Sequence, residues 1–317
     1  MVLSHRGLSV LLFYCYSGAC GGIYAFFFIK NVMKDLWNDI QTQINSLMRK
    51  GNYFCYGKSE MGQKLVGFYF GKGKRKILLQ GATHAREYIT TLFLLKLCRY
   101  LECQHIDGMV VVCPLVNPDG VKISLCGEKS VDKRHSAIIK NILKKCDYQL
   151  IKCNARGVDI NINFDAHWGM GKKNFFGFAS NENYLGERPA SESETKALVR
   201  LTKEFQPDVT VSYHSKGEVL YYGVEGQKLS KLETKLLGII KRETGYSACK
   251  TKDSCGGYKD FCIEKLNISS FTIEVGNEKL SHPLGIESLD IIFNQNKDVV
   301  LKILKCINDD FWQEYMR

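Results

Sequence analysis

KILLQGATHAREYIT, residues 76–90, carries a strand, a turn and a helix in fifteen positions, and the fold is read from it. Lys76 to Gln80 is a short apolar run set between the basic pair Lys74-Arg75 and Gly81, the pattern of a buried strand. From Arg86 to Leu101 the chain takes on helical periodicity, with His84 and Glu87 at the junction. Similar apolar runs recur at Met109 to Cys113, Val209 to Tyr213 and Ser270 to Val275. Helical patterns separate them: Glu192 to Phe205, Lys228 to Thr244, and a last one from about Leu289 to Phe311. Strands alternating with helices predict an α/β sheet covered on both faces, with functional groups gathered at the carboxyl ends of the strands.

Four residues at such ends carry chemistry. His84 and Glu87, three apart at the start of a helix, can reach one metal ion. His214 closes the strand VTVSYH, and Glu274 lies near the end of SFTIEVG. Two histidines, one glutamate and an open fourth position make a catalytic zinc site, with a further glutamate available as base. HxxE alone is a weak signal. The remaining histidines, His5, His105, His135, His167 and His282, pair with no acid at ligand spacing and read as ordinary core or surface residues.

Composition narrows the classes. The chain has 317 residues, 45% hydrophobic and 24% charged, which excludes a disordered chain, a collagen and a coiled coil. Lys plus Arg less Asp plus Glu is 44 − 33 = +11. That surplus suits nucleic acid, an anionic membrane or a cell-wall polymer equally, and no run of interleaved Arg and aromatics singles out nucleic acid. The 13 cysteines are an odd number with no CxxC pair, so they read as free or buried thiols in a reducing setting.

Residues 8–29 (LSVLLFYCYSGACGGIYAFFFI) contain no charge and are long enough to cross a bilayer. This segment reads as a membrane anchor, a signal cleaved after Ala19, or an upstream stretch foreign to the protein; MKDLWNDIQTQINSLMRK opens the globular part at Met33. The division is therefore 1–32, a hydrophobic segment, and 33–317, a catalytic domain. The protein is membrane-associated if 8–29 is retained and cytoplasmic otherwise, and a monomer is expected.

Five words, in order, resemble the zinc carboxypeptidase family. GATHAREYIT (81–90) is similar to its first ligand motif, VNPDG (116–120) to its NPDG turn, and RGVDININF (156–164) to the segment that follows. SYHS (212–215) resembles the third-ligand word and FTIEV (271–275) the strand of the catalytic glutamate. The resemblance spans residues 52 to 280. It implies one zinc per chain on His84, Glu87 and His214, with Glu274 passing a proton from the attacking water to the leaving amine. It further implies Asp159 as the carboxylate that fixes the His84 tautomer. Arg156 is the candidate cation for the developing oxyanion, with Lys152 close by. Asn161, Arg86 and Lys259 are implied as substrate-binding. The fold implied is a single α/β domain with a mixed, mostly parallel sheet of about eight strands flanked by helices.

The departures bear on the substrate. Where digestive members have Asn-Arg, the Arg clamping the substrate carboxylate, this chain has Asn161-Ile162. Lys252 stands where a tyrosine is usual, and Lys259 falls at the floor of the specificity pocket, where a cation suits an acidic substrate. GVDININFDAHWG, YHSKGEV and GGYKDFCIEKL resemble the bacterial branch, which includes γ-D-glutamyl-diamino-acid peptidases acting on peptidoglycan stem peptides. The expected function is zinc-dependent hydrolysis of a peptide or amide bond in such peptides. The rivals are a true carboxypeptidase, a small-substrate deacylase and a membrane-tethered inactive binding protein.

Overall fold

A computed structural model describes residues 22–252 and 255–315. Helix α1 (Gly22–Met48) is followed by strands β1 (Tyr53–Lys58), β2 (Lys64–Gly71) and β3 (Lys76–Gly81), then α2 (Ile89–Leu101) and β4 (Met109–Cys113). Helices α3 (Pro118–Cys126), α4 (Ser136–Leu143) and α5 (Ser193–Phe205) lead to β5 (Val209–Ser215) and β6 (Val219–Tyr222). Helix α6 (Lys231–Thr244), β7 (Ser247–Lys250), α7 (Tyr258–Leu266), β8 (Ser269–Val275), α8 (Leu289–Asn296) and α9 (Val299–Tyr315) complete the chain.

All eight strands form one sheet in the order β1-β2-β4-β3-β5-β8-β6-β7. Pairings β3–β4, β3–β5, β5–β8 and β6–β7 are parallel, while β1–β2, β2–β4 and β6–β8 are antiparallel. The expected α/β domain is present, but "mostly parallel" overstates a mixed sheet. Its centre is parallel because β4, β5 and β8 are each reached through a preceding helix, whereas β1 and β2 are joined by a short return.

The central strands read as continuous apolar runs because they are covered on both faces. Ile77 and Leu79 enter a core shared with α1, α2, α6, α8 and α9. Leu78, between them, points into the opposite core with Ala197 and Leu198 of α5 and Phe261 of α7. The uniform burial of all seven residues of β5 has the same origin.

Two local features depart from expectation. The long carboxyl-terminal helix is broken at Lys297-Asp298, where Asp298 accepts a hydrogen bond from the Tyr100 hydroxyl at 2.6 Å and its carbonyl accepts from Lys302 N. Met33, the expected start of the globular part, lies inside α1. Residues 1–21, which include most of the apolar segment, lie outside the described residues. Among the described residues no helix is long and apolar enough to cross a membrane.

The Gly256-Gly257 turn locks the loop before α7 onto the 160–166 segment. Gly256 N donates to Ala166 O at 2.7 Å and its carbonyl accepts from Phe164 N at 2.9 Å. At φ +83°, a Cβ here would lie 2.6 Å from the Ile162 carbonyl oxygen. Gly256→Ala should therefore cost about 2 kcal/mol, combining left-handed strain with a backbone clash. Urea unfolding measures it; an unchanged midpoint would contradict this account of the turn.

Candidate metal centre and active site

The centre forms where β3, β5 and β8 end side by side. Parallel register sets Gly81 opposite Tyr213 and His214 opposite Glu274, so a ligand and the candidate base sit on adjacent strands. After β3 the chain does not enter α2 directly. Residues 85–87 form a 3₁₀ turn in which Glu87 N donates to His84 O at 3.1 Å. Residues three apart eclipse in such a turn, which stacks His84 and Glu87 on one side. The sequence pattern placed the helix from Arg86; the tighter turn takes its first residues.

Neighbouring segments hold this turn. Ala85 N and Arg86 N donate to Lys152 O and Ile151 O, and Asn117 Nδ2 donates to Thr83 O and Cys153 O. Asn117 also caps α3 by accepting from Gly120 N, with Pro118 in the first turn. The NPDG word is thus a clamp between the ligand turn and the 151–153 segment.

His84, Glu87 and His214 are all buried, and they alone among the described residues form a group able to hold a metal ion. His84 Nδ1 lies 2.9 Å from Glu87 Oε1, and His214 Nδ1 lies 3.1 Å from Glu87 Oε2 and 3.2 Å from His84 Nδ1. Zinc bonds of 2.0–2.1 Å in a tetrahedron separate ligand atoms by about 3.3 Å, close to these spacings. The donor set fits zinc. Around it, His84 Nε2 faces Asp159 Oδ1 at 3.3 Å, and Asp159 Oδ2 accepts from Asn183 N at 3.2 Å. Ser215 N donates to Glu87 Oε2.

The charges of this cluster are mutually dependent. Burial would raise the Glu87 carboxyl, but His84 and His214 hold it well below the usual range. Burial would lower His84, yet Glu87 and Asp159 lift it from 6.5 to about 9. Asp159 is held low against its own burial by Lys152 and His84. Glu274 behaves differently: burial, then the charge of Glu87, push it up to about 8. Its Oε2 is buried and has no hydrogen-bond partner.

The structure separates the candidate cations. Arg156 is turned to Glu187 at 2.8 Å and to buried Glu192 at 3.8 Å, so its guanidinium is committed away from the centre. Lys152 lies 3.7 Å from both Asp159 and Glu182, and its charge, with that of Arg86, acts on Glu274. Arg86 NH1 reaches only Leu150 O, at 3.5 Å, and its Nε is buried without a partner. Lys259 is buried, not solvated, and its ammonium donates to the Gly223 carbonyl and Asp260. Its positive charge is matched there, so Lys259 alone does not make a cationic pocket floor. Asn161 sits in the 160–162 turn, its backbone carbonyl beside Gly257. Asn181, Glu182 and Asn183 carry no local motif; only the fold brings them against Lys152 and Asp159.

The zinc carboxypeptidase family model matches residues 33–291, and the chain belongs to that family. That family is one of zinc metallopeptidases, and the His84-Glu87-His214 cluster is a group that could hold the metal ion. The chain is 26% identical over 260 residues to gamma-D-glutamyl-L-diamino acid endopeptidase 1 of Lysinibacillus sphaericus, covering 77% of this chain and 65% of that protein. It is 30% identical over 166 residues to murein peptide amidase A of Escherichia coli (strain K12), covering 50% of this chain and 57% of that one. It thus spans less than two thirds of either relative. The fold is similar to that of bovine thrombin-activatable fibrinolysis inhibitor in complex with tick carboxypeptidase inhibitor, with a TM-score of 0.68 at 19% identity, covering 86% of this chain and 97% of that one.

Two outcomes follow from the charge arrangement. Zinc needs neutral imidazole, while metal-free His84 holds its proton up to about 9. Zinc affinity should therefore climb between pH 6.5 and 9 by up to about tenfold per unit, as one proton is displaced. Conversely, the raised His84 stabilises the metal-free fold fully below its unfolded value of 6.5, and this is lost as pH rises through about 9. Chelator competition and thermal melts measure the two; a flat affinity profile would contradict the assignment. Asp159→Asn should weaken zinc binding about 10–100-fold by freeing the His84 ring.

Proposed function

We propose that the chain hydrolyses an amide bond in an acidic, multi-carboxylate peptide of the bacterial cell-wall stem type. The observation that carries the catalytic part is the unpartnered Oε2 of Glu274, opposite His214 and beside a buried zinc triad. When bound by His84, Glu87 and His214, zinc supplies Lewis-acid polarisation of the scissile carbonyl and acidifies water. Glu274 accepts the proton of the attacking water and returns it to the leaving nitrogen. Asp159 holds the His84 ring with Nδ1 toward the centre. Lys152, and not Arg156, is the cation for the developing negative oxygen, because its charge acts on Glu274 whereas Arg156 is turned to Glu187 and Glu192.

The substrate part rests on different support. Ile162 occupies the position of the usual carboxylate clamp, which disfavours recognition of an ordinary chain terminus. Lys152 and Arg86 flank the centre with positive charge. The relatives that match along the chain are named for a γ-D-glutamyl-diamino-acid bond and a murein peptide.

Glu274→Gln should lower kcat by at least about 10³-fold with zinc content unchanged, since only the proton acceptor is lost. Lys152→Met should lower kcat about 10²-fold, whereas Arg156→Ala should leave it within a few-fold. The substrate is tested with the zinc-loaded full chain on L-Ala-γ-D-Glu-diaminopimelate, products followed by mass spectrometry, alongside an ordinary carboxypeptidase peptide. Cleavage at the γ-D-Glu bond alone is expected. Release of a terminal residue from the ordinary peptide would overturn the reading in favour of a carboxypeptidase, and no cleavage of either would overturn it in favour of a deacylase or inactive binder.

A further inference from the structure

Three of the seven exposed large hydrophobic side chains among the described residues lie within nine positions: Met170 at 70% exposure, Phe176 at 61% and Phe178 at 68%. They belong to the loop between Ala166 and Asn181, a stretch with no acidic residue and with Lys172 and Lys173 exposed at its turn. Exposed apolar residues scattered singly need no explanation, whereas a contiguous group marks an interaction surface.

The loop is built to present these side chains. Phe175 N donates to Asn183 O at 3.1 Å and its carbonyl accepts from Leu185 N at 3.3 Å. The Phe175 ring packs against Tyr184 and Phe178, and Phe176 stands edge-on to Trp168 at 5.2 Å. Gly169 lets the Phe176 ring lie over the backbone; a Cβ there would sit 2.5 Å from Cζ. Phe176 and Phe178 therefore face outward on a hydrogen-bonded frame.

A cationic face adjoins it. Segment 128–145 carries Lys129, Lys133, Arg134, Lys140, Lys144 and Lys145, all exposed, against Glu128 and Asp132. Ile139 and Ile142 of α4 anchor that segment beside Ala85, Ile151 and Cys153. The two segments pack together at Gly157, whose missing side chain leaves room for Ala179 of the loop and Ile142 of α4, while Ser180 N donates to Gly157 O.

We infer that the 167–178 loop, with the adjoining basic segment, docks the protein on an anionic lipid bilayer. The pairing of Phe and Met with lysines is the chemistry of interfacial insertion, and each cation near an anionic leaflet adds attraction. A glycan partner is less suited: residues 170–178 offer aliphatic sulfur, phenyl rings and ammonium groups, while Trp168 Nε1 is taken by Leu185 O and His167 is paired with Glu264. The uncharged run 8–29 of the same chain suits residence at a membrane. The inference is independent of the proposed substrate.

The test uses hydrogen–deuterium exchange on the full chain, which separates this loop from any contribution of residues 8–29. Vesicles of phosphatidylcholine with one quarter phosphatidylglycerol should protect peptides spanning 167–181, and phosphatidylcholine alone should protect them far less. Phe176→Ser/Phe178→Ser and Lys172→Glu/Lys173→Glu should each remove that protection and weaken vesicle binding by about tenfold or more, with zinc content and melting temperature retained. Protection of 167–181 by purified peptidoglycan but not by vesicles would overturn the lipid assignment, as would vesicle binding that leaves this segment unprotected.

Discussion

A buried carboxylate faced by two buried imidazoles is the constraint on which the rest of this molecule depends. Glu87, His84 and His214 place four donor atoms within hydrogen-bond distance of one another, away from water. Burying such a set without a cation at its centre would be costly, and the metal-free cluster answers by holding a proton on His84 against its own burial. A zinc ion held by His84, Glu87 and His214 would supply the positive charge in place of that proton. Asp159 and Lys152 extend the alternation of charge outward from His84.

The scaffold delivers these groups through register and turn geometry. His214 and Glu274 are partners on parallel strands, and His84 and Glu87 are stacked by one 3₁₀ turn held by Asn117 and the 151–153 backbone. The candidate ligands therefore come from strand ends and a pinned turn, whereas the charge-bearing residues of 152–183 come from loops bonded to them. That division suits an enzyme whose chemistry is constant and whose substrate contacts vary.

The central strands and the clustering of His84, Glu87 and His214 were legible in the sequence for physical reasons. Strands β3, β4, β5 and β8 are covered on both faces, so their apolar runs stand out, and the ligand words sit at their ends. Strands β6 and β7 have four residues each and little burial, so no period emerges from them. Helix α7 was also hidden, because Lys259 and Asp260 are buried as a pair and erase its polar face. Arg156 and Lys152 are four apart in one short segment, and sequence spacing could not tell which of them turns inward. The structure decides it through Glu187 and Glu192, which hold Arg156 outward.

The central claim is that one zinc ion binds at the meeting point of His84, Glu87 and His214. Anomalous scattering from a crystal of the zinc-loaded full chain, recorded on both sides of the zinc absorption edge, tests it most directly. A single peak coordinated by the Nδ1 atoms of both histidines and the Glu87 carboxylate, with Glu274 outside the coordination sphere, is the predicted result. A peak elsewhere, or coordination that includes Glu274 and omits Glu87, would contradict it.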